Sequence, residues 1–290
     1  MFASPTRSAR TPIARFSLIV ATLFLVAGPV HADCNLSQTL QDRINTMLGA
    51  HSRVAYTGTL LLERNQHREF VDVRSGNGGS GANLRRLNDA PGSPPIAYPS
   101  EHVTTVEACE LAEHYVFASA PGDTVGGRET LRLSARPRDP LRFGYVMDLD
   151  KQFGLPLRVV TATADGQMLE RYEFASIEIS ATPDSSQSRL PQIDSDFALS
   201  ELPPGFKLIA SRTQPMPAMI VSDGLAAATV FIESVEQIIQ PGEGGLNEGS
   251  TVSYTRGVNG PRGGILVTVV GEIPMVTARL LADAVRVQQN

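Results

Sequence analysis

The stretch Leu141-Arg142-Phe143-Gly144-Tyr145-Val146-Met147-Asp148-Leu149-Asp150 alternates apolar and polar side chains along most of its length. A period of two is the signature of a strand with one buried face. Leu141, Phe143, Tyr145, Met147 and Leu149 share one face; Arg142, Gly144, Val146, Asp148 and Asp150 share the other. Upstream, Leu131, Leu133 and Ala135 alternate with Arg132, Ser134 and Arg136, and downstream Leu155, Leu157 and Val159 begin a third strand. Asp165-Gly166 is a two-residue turn signal between VVTATA and QMLERYEFASIEI. In the latter strand Leu169, Ala175, Ile177 and Ile179 point one way and Tyr172 and Phe174 the other, so both faces carry apolar groups, as in a sheet curved around a filling. Val54–Leu62 and Glu69–Arg74 are further strands. Before them, Leu36, Leu40, Ile44, Met47 and Leu48 follow helical spacing with Ser37 near the start, which predicts an amphipathic helix over 36–50.

Gly76–Gly81 and Ala90–Pro99 are rich in glycine and proline and read as loops. Residues 181–204 lose periodicity and gain Pro, Ser and Asp, the composition of a linker. A second block supplies five strand candidates: FKLIAS from Phe206, AMIVSDG from Ala218, LAAATVFIES from Leu225, STVSYTR from Ser250 and ILVTVVG from Ile265. Ser222-Asp223-Gly224 reads as a tight turn and Gly257–Gly264 as a glycine-rich hairpin loop. Pro274 opens a terminal helix that can turn Met275, Ala278, Leu281, Ala282 and Val285 toward a sheet. The fold class is therefore mainly β with an α+β second part: a signal peptide over 1–32, a first domain over 33–180, a linker over 181–204 and an α+β domain over 205–290.

Residues 1–32 have the form of an export signal. Arg7, Arg10 and Arg15 precede an apolar run from Phe16 to Ala27, shorter than the roughly 20 residues a membrane span needs. Gly28-Pro29 breaks the run, and Val30-His31-Ala32 places small residues for cleavage after Ala32. Removing three arginines takes the formal charge from −5 to −8. An acidic chain whose only lysines are Lys151 and Lys207 is not a generic nucleic-acid binder. With 42% hydrophobic and 19% charged residues, the chain can bury a core and is not globally disordered. Two cysteines, Cys34 and Cys109, remain after cleavage; an oxidising compartment makes them a candidate disulfide, the alternative being two unpaired thiols.

The search for chemistry is largely negative. Gly76, Gly78 and Gly81 fit a dinucleotide fingerprint in letters only, because no βαβ unit follows. The sequence contains no P-loop, HExxH, GxSxG or SxxK, and the histidines are scattered singly. Asp148 and Asp150 could act as an acid and base pair, but a solvated strand face is the commoner reading. The chain thus reads as a binder rather than an enzyme, with no cofactor and no metal.

Several motifs together resemble the periplasmic sigma-E regulatory proteins of the RseB/MucB family. They are Tyr56-Thr57-Gly58-Thr59-Leu60, Arg136-Pro137-Arg138-Asp139 leading into Arg142-Phe143-Gly144-Tyr145, Leu149-Asp150 with Gly154-Leu155-Pro156-Leu157, and Asp165-Gly166 with Leu169-Glu170. In the second block they are Leu202-Pro203-Pro204-Gly205-Phe206, Ser222-Asp223-Gly224-Leu225-Ala226, Val230-Phe231-Ile232-Glu233 and Val267-Thr268-Val269-Val270-Gly271-Glu272-Ile273-Pro274. Phe206 stands where that family often has Trp. The resemblance implies an N-terminal unclosed antiparallel β-half-barrel with a helical cover, similar to periplasmic lipoprotein carriers, and a smaller α+β domain. It implies a periplasmic protein that binds the periplasmic domain of a single-pass membrane anti-sigma factor, shields it from site-1 proteolysis and releases it to lipopolysaccharide or acyl-chain ligands; a homo-oligomer is compatible with it. A lipid or lipoprotein carrier is the alternative.

On this reading Leu141, Phe143, Tyr145, Met147 and Leu149 are the candidate lipid-binding stripe, with packing against the N-terminal helix as the alternative. Arg85, Arg86, Arg136 and Arg138 are candidate partner or anion contacts, with plain solvation as the alternative.

Overall fold

A computed structural model describes residues 34–65, 67–75, 82–87, 106–181, 197–214, 216–260 and 263–287, together with Met1. The expected signal peptide, the Gly76–Gly81 loop, the Ala90–Pro99 loop and most of the expected linker lie outside the described residues.

Ser37 caps helix α1 (Gln38–Leu48) by accepting from the Leu40 N–H, and the helix turns Ile44 and Met47 into the core. A short α2 (Ala50–Arg53) leads into β1 (Val54–Arg64), β2 (His67–Arg74) and β3 (Asn83–Arg86). Helix α3 (Ala108–His114) precedes β4 (Tyr115–Val125), β5 (Arg128–Pro137), β6 (Gly144–Asp150), β7 (Pro156–Ala162) and β8 (Met168–Ala181). These eight strands form one antiparallel sheet in the order β3-β2-β1-β8-β7-β6-β5-β4. β3 and β4 stand at its two edges, so the sheet curls without closing. α1 and α3 cover it, and Cys34 and Cys109 form the expected disulfide, tying the approach to α1 to α3.

The local period misleads at two places in this sheet. β6 begins at Gly144, so Leu141 and Phe143 lie before the strand and are only partly buried. In β8 the register slips against β1, with Thr59 opposite Ser176 and Leu60 opposite Phe174. The skipped residue, Ala175, makes a bulge that turns Ile177 to the same core as Tyr172 and Phe174. The two-faced strand predicted from the sequence is a one-faced strand with an extra residue.

The second sheet contains β10 (Lys207–Arg212), β11 (Ala218–Ser222), β12 (Ala227–Val235), β13 (Gly242–Glu248), β14 (Thr251–Gly260) and β15 (Gly263–Gly271), in the order β10-β11-β12-β15-β14-β13. Helix α4 (Met275–Asp283) lays Ala278, Leu281 and Ala282 on this sheet over Val230, Ile232 and Val269. β13, GEGGLNE, escapes sequence reading because it has almost no β-forming side chains and is exposed throughout. Within the stretch expected as a linker, Phe197–Leu199 form β9, which pairs with β16 (Val285–Val287).

Candidate functional site

Most of the apolar stripe of the opening decapeptide goes to the core. Tyr145, Met147 and Leu149 are buried with Ile44, Met47, Leu111 and Tyr115 beneath the helical cover. Phe143 packs at the edge of that cluster, and the Leu141 carbonyl accepts a 2.7 Å hydrogen bond from Thr277 Oγ1 on α4. Of the candidate arginines, Arg85 pairs with Asp72 and Arg86 with Glu69 across the β2–β3 hairpin. Arg138 Nε donates to the Ala112 carbonyl at 3.1 Å, and Arg136 is exposed. Five strands separate β3, which carries Arg85 and Arg86, from β5, which carries Arg136 and ends just before Arg138, so the two arginine pairs lie near opposite edges of the sheet.

Asp148 and Asp150 are neither solvated nor an acid and base pair. Asp148 is 1% exposed, accepting from Arg132 Nε at 2.8 Å and Arg158 Nε at 2.6 Å. Asp123 joins the same two arginines, whose hydrogen bonds, Arg158 first, hold its carboxyl below the usual range. Asp150 accepts from Arg128 at 2.6 Å and from the N–H groups of Gln152 and Phe153. Each carboxylate is thus committed to cations or backbone donors on neighbouring strands.

The strongest polar constellation joins the two sheets. Arg142, placed by the sequence period on a polar face, is 1% exposed and is the largest fully buried side chain among the described residues. Its Nε donates to Asp223 Oδ2 at 2.8 Å, and Tyr115 Oη donates to the same oxygen at 2.9 Å. The other guanidinium nitrogens reach Asp139 and the Pro204 carbonyl, and the guanidinium carbon lies 5.4 Å from the Phe206 ring centre and 5.9 Å from that of Tyr115. Asp223 Oδ1 accepts from the N–H groups of Leu225 and Ala226, so the tight turn at 222–224 presents its carboxylate inward. Burial, then Asp223, pushes the Tyr115 hydroxyl well above its ordinary range and keeps it a donor. Gly205 (φ +81°) and Gly224 (φ +103°) take backbone conformations that side chains resist, and a Cβ there would press on His114 and Val106 respectively.

A second polar cluster spans the same seam. Arg64 forks onto Glu170 with both contacts at 3.0 Å, Ser250 Oγ donates to Glu170 at 2.9 Å, and Glu248 lies 3.8 Å from Arg64. Gly249 (φ +62°) lets the β13–β14 turn close on Arg64. Glu272 follows β15 beside this cluster. Burial, reinforced by Glu170 and opposed by Arg64, pushes its carboxyl up to about 7, although the residue keeps partial solvent exposure. Away from the seam, an open cleft of about 400 Å³ lies between β13, β14 and α4, edged by the Arg256–Asp283 and Arg279–Glu243 pairs. Among the described residues no cluster of His, Cys, Asp and Glu is arranged to hold a metal.

Sequence reasoning missed both seam clusters. Asp223 was legible as a turn residue and Arg142 as a strand residue; their pairing had no local signal.

Comparison with known proteins follows the same division. The profile of the MucB/RseB N-terminal domain matches residues 87–194, and that of the MucB/RseB C-terminal domain matches residues 191–286. The sigma factor AlgU regulatory protein MucB of Pseudomonas aeruginosa is 31% identical over 204 residues, covering 63% of this chain and 64% of that protein. The sigma-E factor regulatory protein RseB of Escherichia coli K12 is 26% identical over 205 residues, covering 61% and 60%. The chain thus aligns with somewhat under two thirds of the length of these relatives. The solved Pseudomonas aeruginosa MucA/MucB complex superposes with a TM-score of 0.66 at 26% identity, covering 87% of this chain and 100% of the matched one. MucB crystallised with MucA(peri) gives 0.64 at 27% identity with the same coverage. With profile matches and solved structures that run through both sheets, this chain belongs to the MucB/RseB family.

Proposed function

We propose that this chain is a periplasmic negative regulator of a sigma-E-type envelope stress response. It binds the periplasmic domain of a single-pass membrane anti-sigma factor and shields that domain from site-1 proteolysis. The observation that carries this reading is the likeness, across 87% of the chain and both sheets, to MucB held in complex with MucA(peri). The buried polar seam supports it, because hydrogen bonds such as Arg142–Asp223 and Ser250–Glu170 hold the two sheets together as one surface for a partner. The division into domains at 33–180 and 205–290 belongs to the same proposal, as does regulation by binding alone, without catalysis.

Release by lipopolysaccharide or acyl-chain ligands is the finer part of the proposal. Each methylene taken from water contributes about 0.8 kcal/mol. Tyr145, Met147 and Leu149 lie beneath α1 and α3, so a chain reaching them has to lift that cover, and the gain per methylene is offset by the packing lost. The test uses the exported chain, the periplasmic domain of the host's own anti-sigma factor and the site-1 protease. Cleavage should slow when the chain is added and recover when lipopolysaccharide follows. Equal cleavage with and without the chain would refute the guarding role. Slowed cleavage that lipopolysaccharide leaves unchanged would refute only the lipid part.

A further inference from the structure

We propose that β13 is a docking edge for a second copy of this chain: the two β13 strands pair antiparallel about a two-fold axis at Gly245 and join the second sheets into one. A sheet edge offers unpaired backbone N–H and C=O groups to any passing strand, and proteins blunt such edges with lysine, proline, bulges or brevity. Every other strand edge among the described residues carries such a device. β3 has four residues, two of them Arg85 and Arg86. β4 holds Pro121 and an irregular register after it. β10 begins and ends on exposed Lys207 and Arg212 and slips register after Leu208. β9 and β16 have three residues each. β13 is the exception: seven residues in unbroken register with β14, exposed throughout, with no lysine, arginine or proline. Its two acids do not guard it, since Glu243 pairs with Arg279 and Glu248 lies 3.8 Å from Arg64.

The occupant follows from the strand's own residues. Glu243 meets α4 through Arg279, and a Cβ at Gly245 would touch Met275, so the odd-numbered residues face α4 while Gly244 and Leu246 face away. Centred on Gly245, the two-fold register uses all seven residues and lays Leu246, 65% exposed, over Gly244 of the second copy, where no side chain competes for the space. The same register sets Glu243 opposite Asn247, whose amide can donate to it, and Glu248 opposite Gly242, so no acid faces an acid. Slipping by one residue toward the strand's C-terminus would oppose Glu243 to Glu248. A single pair of seven-residue strands buries less than the roughly 1,200 Å² of a stable interface, so the dimer is weak and depends on concentration. This pairing is a property of the chain itself and is independent of which other partner it binds.

Sedimentation velocity of the exported chain alone, from about 1 to 100 µM, should show a monomer–dimer equilibrium. Hydrogen–deuterium exchange over 242–248 should slow as the concentration rises. Leu246→Lys supplies the missing edge charge, and Gly244→Lys fills the space that Leu246 of the second copy needs. Both positions are open in the single chain, so the fold is kept, which circular dichroism checks. Each should weaken dimerisation by about tenfold or more, through charge brought to the joint. Ile238→Lys, at an apolar residue 83% exposed outside the strand, should leave it unchanged. A monomer at every concentration, a dimer that survives both strand variants, or equal weakening by Ile238→Lys would overturn the proposal. So would slowed exchange at 242–248 that appears only on adding the anti-sigma periplasmic domain, which would give the edge to that partner.

Discussion

Changing Asp223 to Asn removes one negative charge from the centre of the molecule and little else. The Asn side-chain oxygen can still accept from the Leu225 and Ala226 N–H groups, so the turn survives. Its amide nitrogen then faces Arg142 Nε and Tyr115 Oη, and the guanidinium is left buried without its fully buried counter-ion. Breaking a buried pair from one side costs about 3–5 kcal/mol. At roughly 2–4 °C per kcal/mol for a chain of this size, melting should drop by about 6–20 °C. Arg142→Met alone should cost a similar amount, because it leaves the Asp223 carboxylate buried with only Tyr115 and backbone donors. The double variant removes both charges and keeps an unbranched chain between Phe206 and Tyr115, so most of the loss should return. Urea titration followed by circular dichroism on the four proteins gives the coupling energy, expected at about 2 kcal/mol or more. Additive losses in the double variant, or a loss below about 1 kcal/mol for Asp223→Asn, would show that the seam does not rest on this charge pair.

Other expectations follow from the same coordinates. Reducing the Cys34–Cys109 link, or replacing both with Ser, should lower stability by about 4 kcal/mol, from loop-closure entropy over a separation of 75 residues; unchanged melting with and without reductant would contradict this. Gly205→Ala should cost about 2 kcal/mol, because it strains a positive φ and presses on His114, while Gly166→Ala, whose Cβ would meet open space, should cost less; equal losses would mean that crowding at the seam adds nothing. Because its arginine partners depress the Asp123 carboxyl, its contribution should be present above its unfolded pKa near 3.8 and fade as pH falls through the lower folded value; acid titration of Asp123→Asn against the parent should show that extra acid sensitivity only in the parent.

Many of the strands and the opening helix were legible because each rests on near-neighbour patterns. Leu133 and Ala135 went to the core as their alternation required, and Ser37 caps α1 where a hydroxyl was expected. The family was legible through short motifs in order along the chain. Reading failed where a residue's environment comes from far away. Ala175 looks like an ordinary strand residue until β1 skips it, and GEGGLNE looks like a loop until β14 gives it a ladder. Arg85 and Arg86 were read as candidate partner or anion contacts, with solvation as the alternative, and the hairpin sets Asp72 and Glu69 beside them.

The amino-acid order alone pointed to many of the strands, to the opening helix and to the family the chain resembles, since periodicity, caps and turns act within a few residues; α3, which shares the cover of the first sheet, and β4, β9 and β13 were not read from it. Only the tertiary structure decided that Arg142 is buried. A guanidinium leaves water only where a carboxylate, aromatic faces and a carbonyl are already arranged to receive it, and Asp223 lies 81 residues away. The same holds for Glu272, whose carboxyl is pushed up by burial first and by Glu170 second, with Arg64 opposing, none of which is adjacent to it in the chain.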